Sequence, residues 1–217
     1  MTETAFVSVA FGDKRYLEQQ ERLNFSIRNI YPDAPIYAWT DKMPPESPTF
    51  RNSLYGFKPY AIKAALSDGY TKIMFFDPAI VLVNKIDYYQ EIVKDYGVLA
   101  AQDDNKLTRF CSDAALEYAG RSREEISEWH LVGGSFYYFD FDLQLCNDIY
   151  SHWLVAERKG LFGSQSDQAS GKLDHAHRND EAMMALALYC CGSKPLTGDV
   201  RYNCESDVAI TRKFHFK

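Results

Sequence analysis

Two short stretches of the sequence carry side chains that could do chemistry. In the first, the apolar and aromatic run Lys72-Ile73-Met74-Phe75-Phe76 ends on one acid, Asp77. Pro78 stops the run, and after Ala79 a second one, Ile80-Val81-Leu82-Val83, starts at once. In an open α/β sheet the ligand crevice lies outside the carboxyl ends of the strands, so an acid that closes a fully buried strand points into that crevice. A plain strand-ending turn explains Asp77-Pro78 equally well, because both residue types favour turns. The second stretch is His175-Ala176-His177-Arg178-Asn179-Asp180-Glu181. Asn179 suits a helix cap, and the helix dipole favours Asp180 and Glu181 in the turn that follows. Capping accounts for the acids but not for two histidines and an arginine beside them. His175-x-His177 reads as part of a polar loop rather than as a metal pair.

The elements that must position these groups alternate along the chain. Ala5 to Phe11 reads as a strand followed by the turn Gly12-Asp13. Lys14 to Tyr31 reads as a helix with Tyr16, Gln20, Leu23, Ile27 and Ile30 on one face. Pro35 to Trp39 is a second strand, and a strand, a helix and a strand in that order make parallel neighbours, with Asp13 and Asp41 at one edge of the sheet. Pro44, Pro45 and Pro48 mark a loop, and Phe57 to Leu66 is a helix with Pro59 near its start. Lys58 and Lys63 are more than one turn apart, so they reach one anion only if Lys58 precedes the helix proper.

Beyond the Asp77 strand, Asp87 to Asp95 reads as a short helix and Gly97 to Ala101 as a buried strand ending in Gln102-Asp103-Asp104. Cys111 to Ser127 reads as two helical pieces broken at Gly120, the second opened by a Ser122-x-x-Glu125 capping box. Trp129 to Phe139 is a strand holding Gly133 and Gly134, which suggests that a ligand or another backbone comes very close there. Asp142 to Lys159 is a long helix. Gly160 to Asp174 reads as a mobile loop over the site, and a last helix runs from Asn179 through Tyr189.

Composition narrows the class. The 217 residues suit one domain with a sizeable core, and 46% apolar with 25% charged residues describes an ordinary globular protein. No run approaches the roughly 20 apolar residues of a spanning helix, and Met1-Thr2-Glu3-Thr4 lacks a signal-peptide pattern, so a cytoplasmic location is expected. The net charge of -6 argues against a nucleic-acid-binding surface, which needs clustered Lys and Arg. The five cysteines, Cys111, Cys146, Cys190, Cys191 and Cys204, are odd in number and form no C-x-x-C pair. They read as reduced thiols rather than as a zinc site. The sequence stops after Phe214-His215-Phe216-Lys217 without a terminating signal, so residues 1–217 read as a single domain cut from a longer chain.

The strand with Asp13 after it, the Lys58-Pro59-Tyr60 helix, the strand closed by Asp77, the Gly133-Gly134 strand and the Asn179-Asp180-Glu181 helix together resemble a nucleotide-sugar glycosyltransferase of the GT-A fold. The resemblance spans nearly the whole chain. It is greatest to the glycogenin-like and blood-group-transferase-like members, and extends to enzymes of large algal DNA viruses that build a capsid-protein glycan in the host cytoplasm. It implies an α/β fold with a GT-A (Rossmann-like), mostly parallel central sheet flanked by helices. It also implies transfer of a hexose or 6-deoxyhexose, of the glucose or rhamnose type, from a UDP-sugar to a glycan or glycoprotein acceptor.

Site residues follow from the resemblance position by position. Asp77-Pro78-Ala79 stands where the family's Asp-x-Asp signature holds manganese or magnesium against the donor diphosphate. The second acid is replaced by Ala79, which weakens such a site. His215 is similar in position to the histidine that completes the metal site in glycogenin-like enzymes. The backbone of Ala10, Phe11, Gly12 and Asp13 would hold uracil and ribose, and Lys58 and Lys63 would lie near the diphosphate. Gly133 and Gly134 would line the donor sugar and the acceptor, with Trp129 and His130 as acceptor contacts. Asp180 and Glu181 would be the catalytic carboxylates, a base in an inverting enzyme or a stabiliser of the cationic sugar in a retaining one. Two other readings stand beside this one. The incomplete Asp-x-Asp suggests a catalytically silent nucleotide-sugar-binding domain, and a DNA-modifying glycosyltransferase is disfavoured by the acidic balance.

Overall fold

The computed structural model of the chain describes residues 4–169, 177–197 and 210–212. Strand β1 (Thr4–Ala10) turns at Gly12, φ +84°, into helix α1 (Lys14–Ile30), which Asp13 caps by accepting from the Arg15 amide at 2.8 Å. β2 (Ile36–Thr40) comes back parallel to β1, Phe6 opposite Ile36 and Ala10 opposite Thr40. Helix α2 (Phe57–Ser67) then leads to β3 (Lys72–Phe76), parallel to β1 on its other side. Parallel neighbours need such crossovers, and the helical periodicity of the linking segments supplies them.

The second half reverses one strand. After β4 (Ile80–Leu82), α3 (Asp87–Ile92), β5 (Val98–Lys106) and α4 (Asp113–Ala119), strand β6 (His130–Asp140) enters between β3 and β5, antiparallel to both. The sheet therefore runs β2-β1-β3-β6-β5, with β6 alone pointing the other way. Helices α5 (Gln144–Arg158), α6 (Gln165–Ala169) and α7 (Asn179–Cys190) follow, and β7 (Ile210–Arg212) pairs with β4 in a small second sheet. This is the mostly parallel sheet flanked by helices that the resemblance implies.

Both faces of the sheet are covered, which is why the strands read as continuous apolar runs. Successive side chains alternate between faces. Ala5, Val7, Val9, Ile73 and Phe75 join a core with residues of α2, α5 and α7, while Phe6, Met74, Phe76, Phe136 and Tyr138 join a second core with Leu23 and Ile27 of α1 and Tyr89 of α3. No helix among the described residues is long and apolar enough to cross a membrane. Cys111, Cys146, Cys190 and Cys191 are free thiols, and Cys204 lies outside the described residues.

Two elements differ from their sequence reading. β5 does not end at Ala101 but continues irregularly to Lys106, because β6 is long enough to pair with it as far as His130 and because the Gln102 amide bonds the Leu196 carbonyl at 2.9 Å. The capping box forms, with the Ser122 amide on Glu125 Oε2 at 2.7 Å and the Glu125 amide on Ser122 Oγ at 3.2 Å, yet only turns follow it. A cap satisfies the donors of one turn; a longer helix needs an apolar face to bury, and here Ile126 alone among residues 121–128 is buried.

Candidate functional site

The site begins where β3 and β6 differ in length. β3 stops at Phe76, opposite Phe136, whereas β6 has already started at His130, so Gly133, Gly134 and Ser135 run on past the end of β3. Asp77 takes up that free edge, its amide donating to the Ser135 carbonyl at 2.9 Å. The first turn of α7 lies over the same strand: Glu181 Oε1 accepts from the Gly134 amide at 2.9 Å, and Glu181 Oε2 from Arg178 Nε at 3.0 Å.

Lys58, in the first turn of α2, ties these pieces together. The residue is 2% exposed, and its ammonium donates to the Gly134 carbonyl at 2.8 Å and to Asp180 Oδ2 at 2.7 Å, with Asp77 Oδ1 at 3.9 Å. The rings of Tyr55, Phe75 and Tyr137 stand around it, their centroids 5.0, 5.5 and 5.7 Å away. Asp180 is held in turn by the Tyr137 hydroxyl at 3.3 Å and, through its backbone carbonyl, by Trp153 Nε1 at 3.1 Å. Gly134 must be glycine here. A Cβ at that position would lie 2.8 Å from Lys58 Nζ, 3.0 Å from Glu181 Cγ and 3.1 Å from Asp180 Oδ2. The close approach expected at the paired glycines is thus to an ammonium and two acids.

Three carboxylates crowd this one buried ammonium, and their protons respond. Burial is the largest influence on Asp180. Together with the charges of Glu181 and Asp77 it pushes the carboxyl up to about 7, against the pull of Lys58. Burial draws Lys58 down, but Asp180 and Asp77 outweigh it and hold the ammonium protonated beyond the ordinary lysine range. Burial and the same acids raise the Tyr137 phenol. Exposure separates the acids. The Asp180 side chain is 3% exposed, whereas those of Glu181 and Asp77 are 22% and 30% exposed and so reach solvent at the carboxyl end of β3.

The start of α7 is held from behind. His177 is buried, with Nδ1 accepting from the Ser112 amide at 3.2 Å and Nε2 2.8 Å from the Leu161 carbonyl, an arrangement that assigns the neutral ring with its proton on Nε2. Asn179 is not the cap. Arg178 occupies that position without a side-chain capping bond, and Asn179, at φ +45°, sends its side-chain amide instead to the buried Phe162 carbonyl at 2.6 Å. His175 and residues 170–174 of the expected loop lie outside the described residues; the loop's earlier part forms turns and α6.

Other sequence candidates fall nearby or elsewhere. Ala10, Phe11, Gly12 and Asp13 do stand at the carboxyl end of β1, where the Gly12 amide donates to Asp41 Oδ1 at 3.1 Å and so joins the two strand ends as expected. The Arg15 side chain and amide occupy the Asp13 carboxylate and hold its pKa below the usual range. Lys63 is not brought to Lys58. Both lie inside α2, five positions apart and so about 140° around the helix, and Lys63 pairs with Glu46 at 2.6 Å. Lys58 itself is buried in its ion pair rather than open to a diphosphate. Trp129 stacks on Tyr189, centroids 4.6 Å apart, and the His130 amide donates to the Tyr189 hydroxyl, so both are engaged in packing. Tyr55 and Arg178 were not among the sequence candidates for the site. Arg178 adjoins the acids in sequence, but nothing local marks Tyr55, whose backbone sits at φ +59°.

A divalent cation needs several oxygen ligands. Asp77 offers a carboxylate, Pro78 and Ala79 offer none, and the Lys58 ammonium stands 3.9 Å from that carboxylate. The Ala79 carbonyl accepts from Arg22 Nη2 at 3.2 Å. Among the described residues no group of three His, Cys, Asp or Glu is arranged to hold a metal ion, and His215 lies outside them. The described residues do not by themselves make a manganese or magnesium site.

A three-layer α/β domain with this strand order, one reversed strand and an acid closing the middle strand has the GT-A fold. No family profile and no curated protein matches the chain. Among solved structures it is similar to an active-site mutant of LgtC, at 10% identity and TM-score 0.50 over 96% of this chain and 86% of that one. It is also similar to the apo form of the glycosyltransferase GlyE of Streptococcus pneumoniae, at 12% identity and TM-score 0.51 over 97% of this chain and 54% of that one. A glycosyltransferase involved in glycosylation of the major capsid of PBCV-1 aligns over 99% of this chain and 94% of that one at 9% identity and TM-score 0.49.

Proposed function

We propose that this chain is a glycosyltransferase that moves a hexose or 6-deoxyhexose from a UDP-sugar to a glycan or glycoprotein acceptor. The observation that carries the reading is the cluster at the carboxyl ends of β3 and β6, where Lys58 ties Asp180 to Gly134 beside Asp77 and Glu181. In this fold that edge is the ligand crevice. Glycosyl transfer needs a carboxylate near the sugar carbon, a place for the leaving diphosphate and exclusion of water. Glu181, solvent-accessible like Asp77, is the carboxylate assigned that role, its direction set by the Gly134 amide and Arg178. It takes the acceptor proton if configuration inverts and stabilises the cationic sugar if it is retained. Asp180, buried on Lys58, acts through that lysine as a positioning residue. The backbone from Ala10 to Asp13 offers the uridine its edge of the crevice.

The test is donor binding. UDP-sugars are titrated against wild type and Asp77→Ala by calorimetry, with and without manganese; the manganese arm asks whether residues such as His215 complete a metal site. Binding by wild type, weakened in Asp77→Ala, is expected, and no binding under either condition removes the reading. Ala79 in place of a second acid favours one alternative, a silent nucleotide-sugar-binding domain. Binding without hydrolysis or transfer to any tested acceptor would establish that alternative instead.

A further inference from the structure

Tyr55 stands just before α2, over the Lys58 ammonium, in a conformation its residue type seldom adopts. Its φ is +59°, in the left-handed region that favours glycine and asparagine, yet the position holds a large aromatic side chain that is 40% exposed. The Lys58 ammonium sits over its ring, 5.0 Å from the centroid, and Phe50 meets it edge-on at 5.3 Å. Phe50 in turn packs on Phe11, which closes β1, so the ring belongs to an aromatic rim that joins the end of β1 to the Lys58 cluster. Burial, followed by the charges of Asp180, Asp77 and Glu181, raises the Tyr55 phenol, which places it in the field of all three acids.

That field decides what can lie against the ring. Lys58 and Arg178 are already paired with Asp77, Asp180 and Glu181, so no surplus cation draws a phosphate onto the ring. A neutral polyol suits the same space, since its hydroxyls donate to carboxylates while its C–H face packs on an aromatic ring. We infer that the exposed flank of Tyr55 seats the sugar ring of the bound nucleotide sugar, above the Lys58–Asp180 pair. The inference rests on the donor reading above and adds the residue that discriminates the sugar from the nucleotide.

The experiment compares UDP with UDP-glucose, UDP-galactose, UDP-N-acetylglucosamine and UDP-rhamnose on wild type, Tyr55→Phe, Tyr55→Leu and Tyr55→Gly. Tyr55→Gly removes the ring and relieves the backbone together, so its thermal midpoint is expected to equal or exceed that of wild type. For the sugar nucleotide that wild type prefers, Tyr55→Phe keeps its affinity and the Leu and Gly variants lose about tenfold, while UDP binds all four proteins within about twofold. Equal losses of UDP and UDP-sugar, or no loss in Tyr55→Gly, overturn the role of Tyr55 and leave the donor reading standing. Failure of wild type to bind any of these nucleotides removes the donor reading itself, and this inference with it.

Discussion

An ammonium as buried as that of Lys58 costs several kcal/mol to desolvate, and only a close partner with good hydrogen bonds offsets that cost. Asp180 and the Gly134 carbonyl provide both. Removing one partner leaves the other uncompensated. Asp180→Asn and Lys58→Met are each expected to destabilise by about 3–5 kcal/mol, and Lys58→Met with Asp180→Leu to recover most of that loss. Thermal unfolding of the three variants checks it; a double variant no better than the singles would mean that the pair does not act as a unit. The same pair sets a pH dependence. Unfolded, the Asp180 carboxyl titrates near about 3.9; folded, it titrates at about 7. The folded state therefore binds more protons between those values, so this stabilisation is full below about pH 4 and is lost as pH rises through about 7. Lys58, shifted upward as well, adds a further loss above about pH 10.4, where the unfolded lysine sheds its proton first. Thermal midpoints of wild type should fall between about pH 5 and pH 8, and this slope should be missing in Asp180→Asn. Asp77, Asp180, Glu181 and Lys58 were all legible as candidates, because acids after apolar runs and at helix starts leave a local mark. Tyr55 was not, because its positive φ is imposed by the turn into α2 and no neighbouring residue type announces it.

Among the elements, β6 and α7 carry the site, and their junction is Gly134. A strand with paired glycines announced a close approach but not its partner. The partner is the first turn of α7 and the Lys58 side chain from α2, both far along the chain. Gly134→Ala forces a methyl group against the ammonium and the two acids, none of which can swing away without breaking its own bond. A loss of about 1–3 kcal/mol in stability is expected, together with weakened UDP-sugar binding. Gly133→Ala, measured beside it, separates this contact from a general effect of substitution in the strand. Equal losses at the two glycines would mean that the Lys58 contact is not what holds Gly134 as glycine. Helix α7 shows where local signals mislead. Asn179 has the chemistry of a cap, but its side-chain amide bonds the buried Phe162 carbonyl, a tertiary contact that takes it away from the helix end.

For the molecule as a whole, the net charge of -6 leaves no surplus of cations to replace the counterions of a duplex. The protein is expected to pass unretained through a column of duplex DNA at about 0.1 M salt. Retention there would revive the reading as a DNA-modifying enzyme. The sequence by itself determined the alternation of strands and helices, the acid that closes the middle strand and the acidic start of the last helix, since periodicity, turns and caps are local properties of the chain. Only the tertiary structure decided that Lys58 and not Lys63 meets those acids, and that Asp180 is buried while Glu181 and Asp77 stay partly exposed. Those outcomes depend on the rotational phase of α2 and on the register of β6 past the end of β3. They also depend on bonds that join residues 76 and 122 positions apart, separations that no local pattern reports.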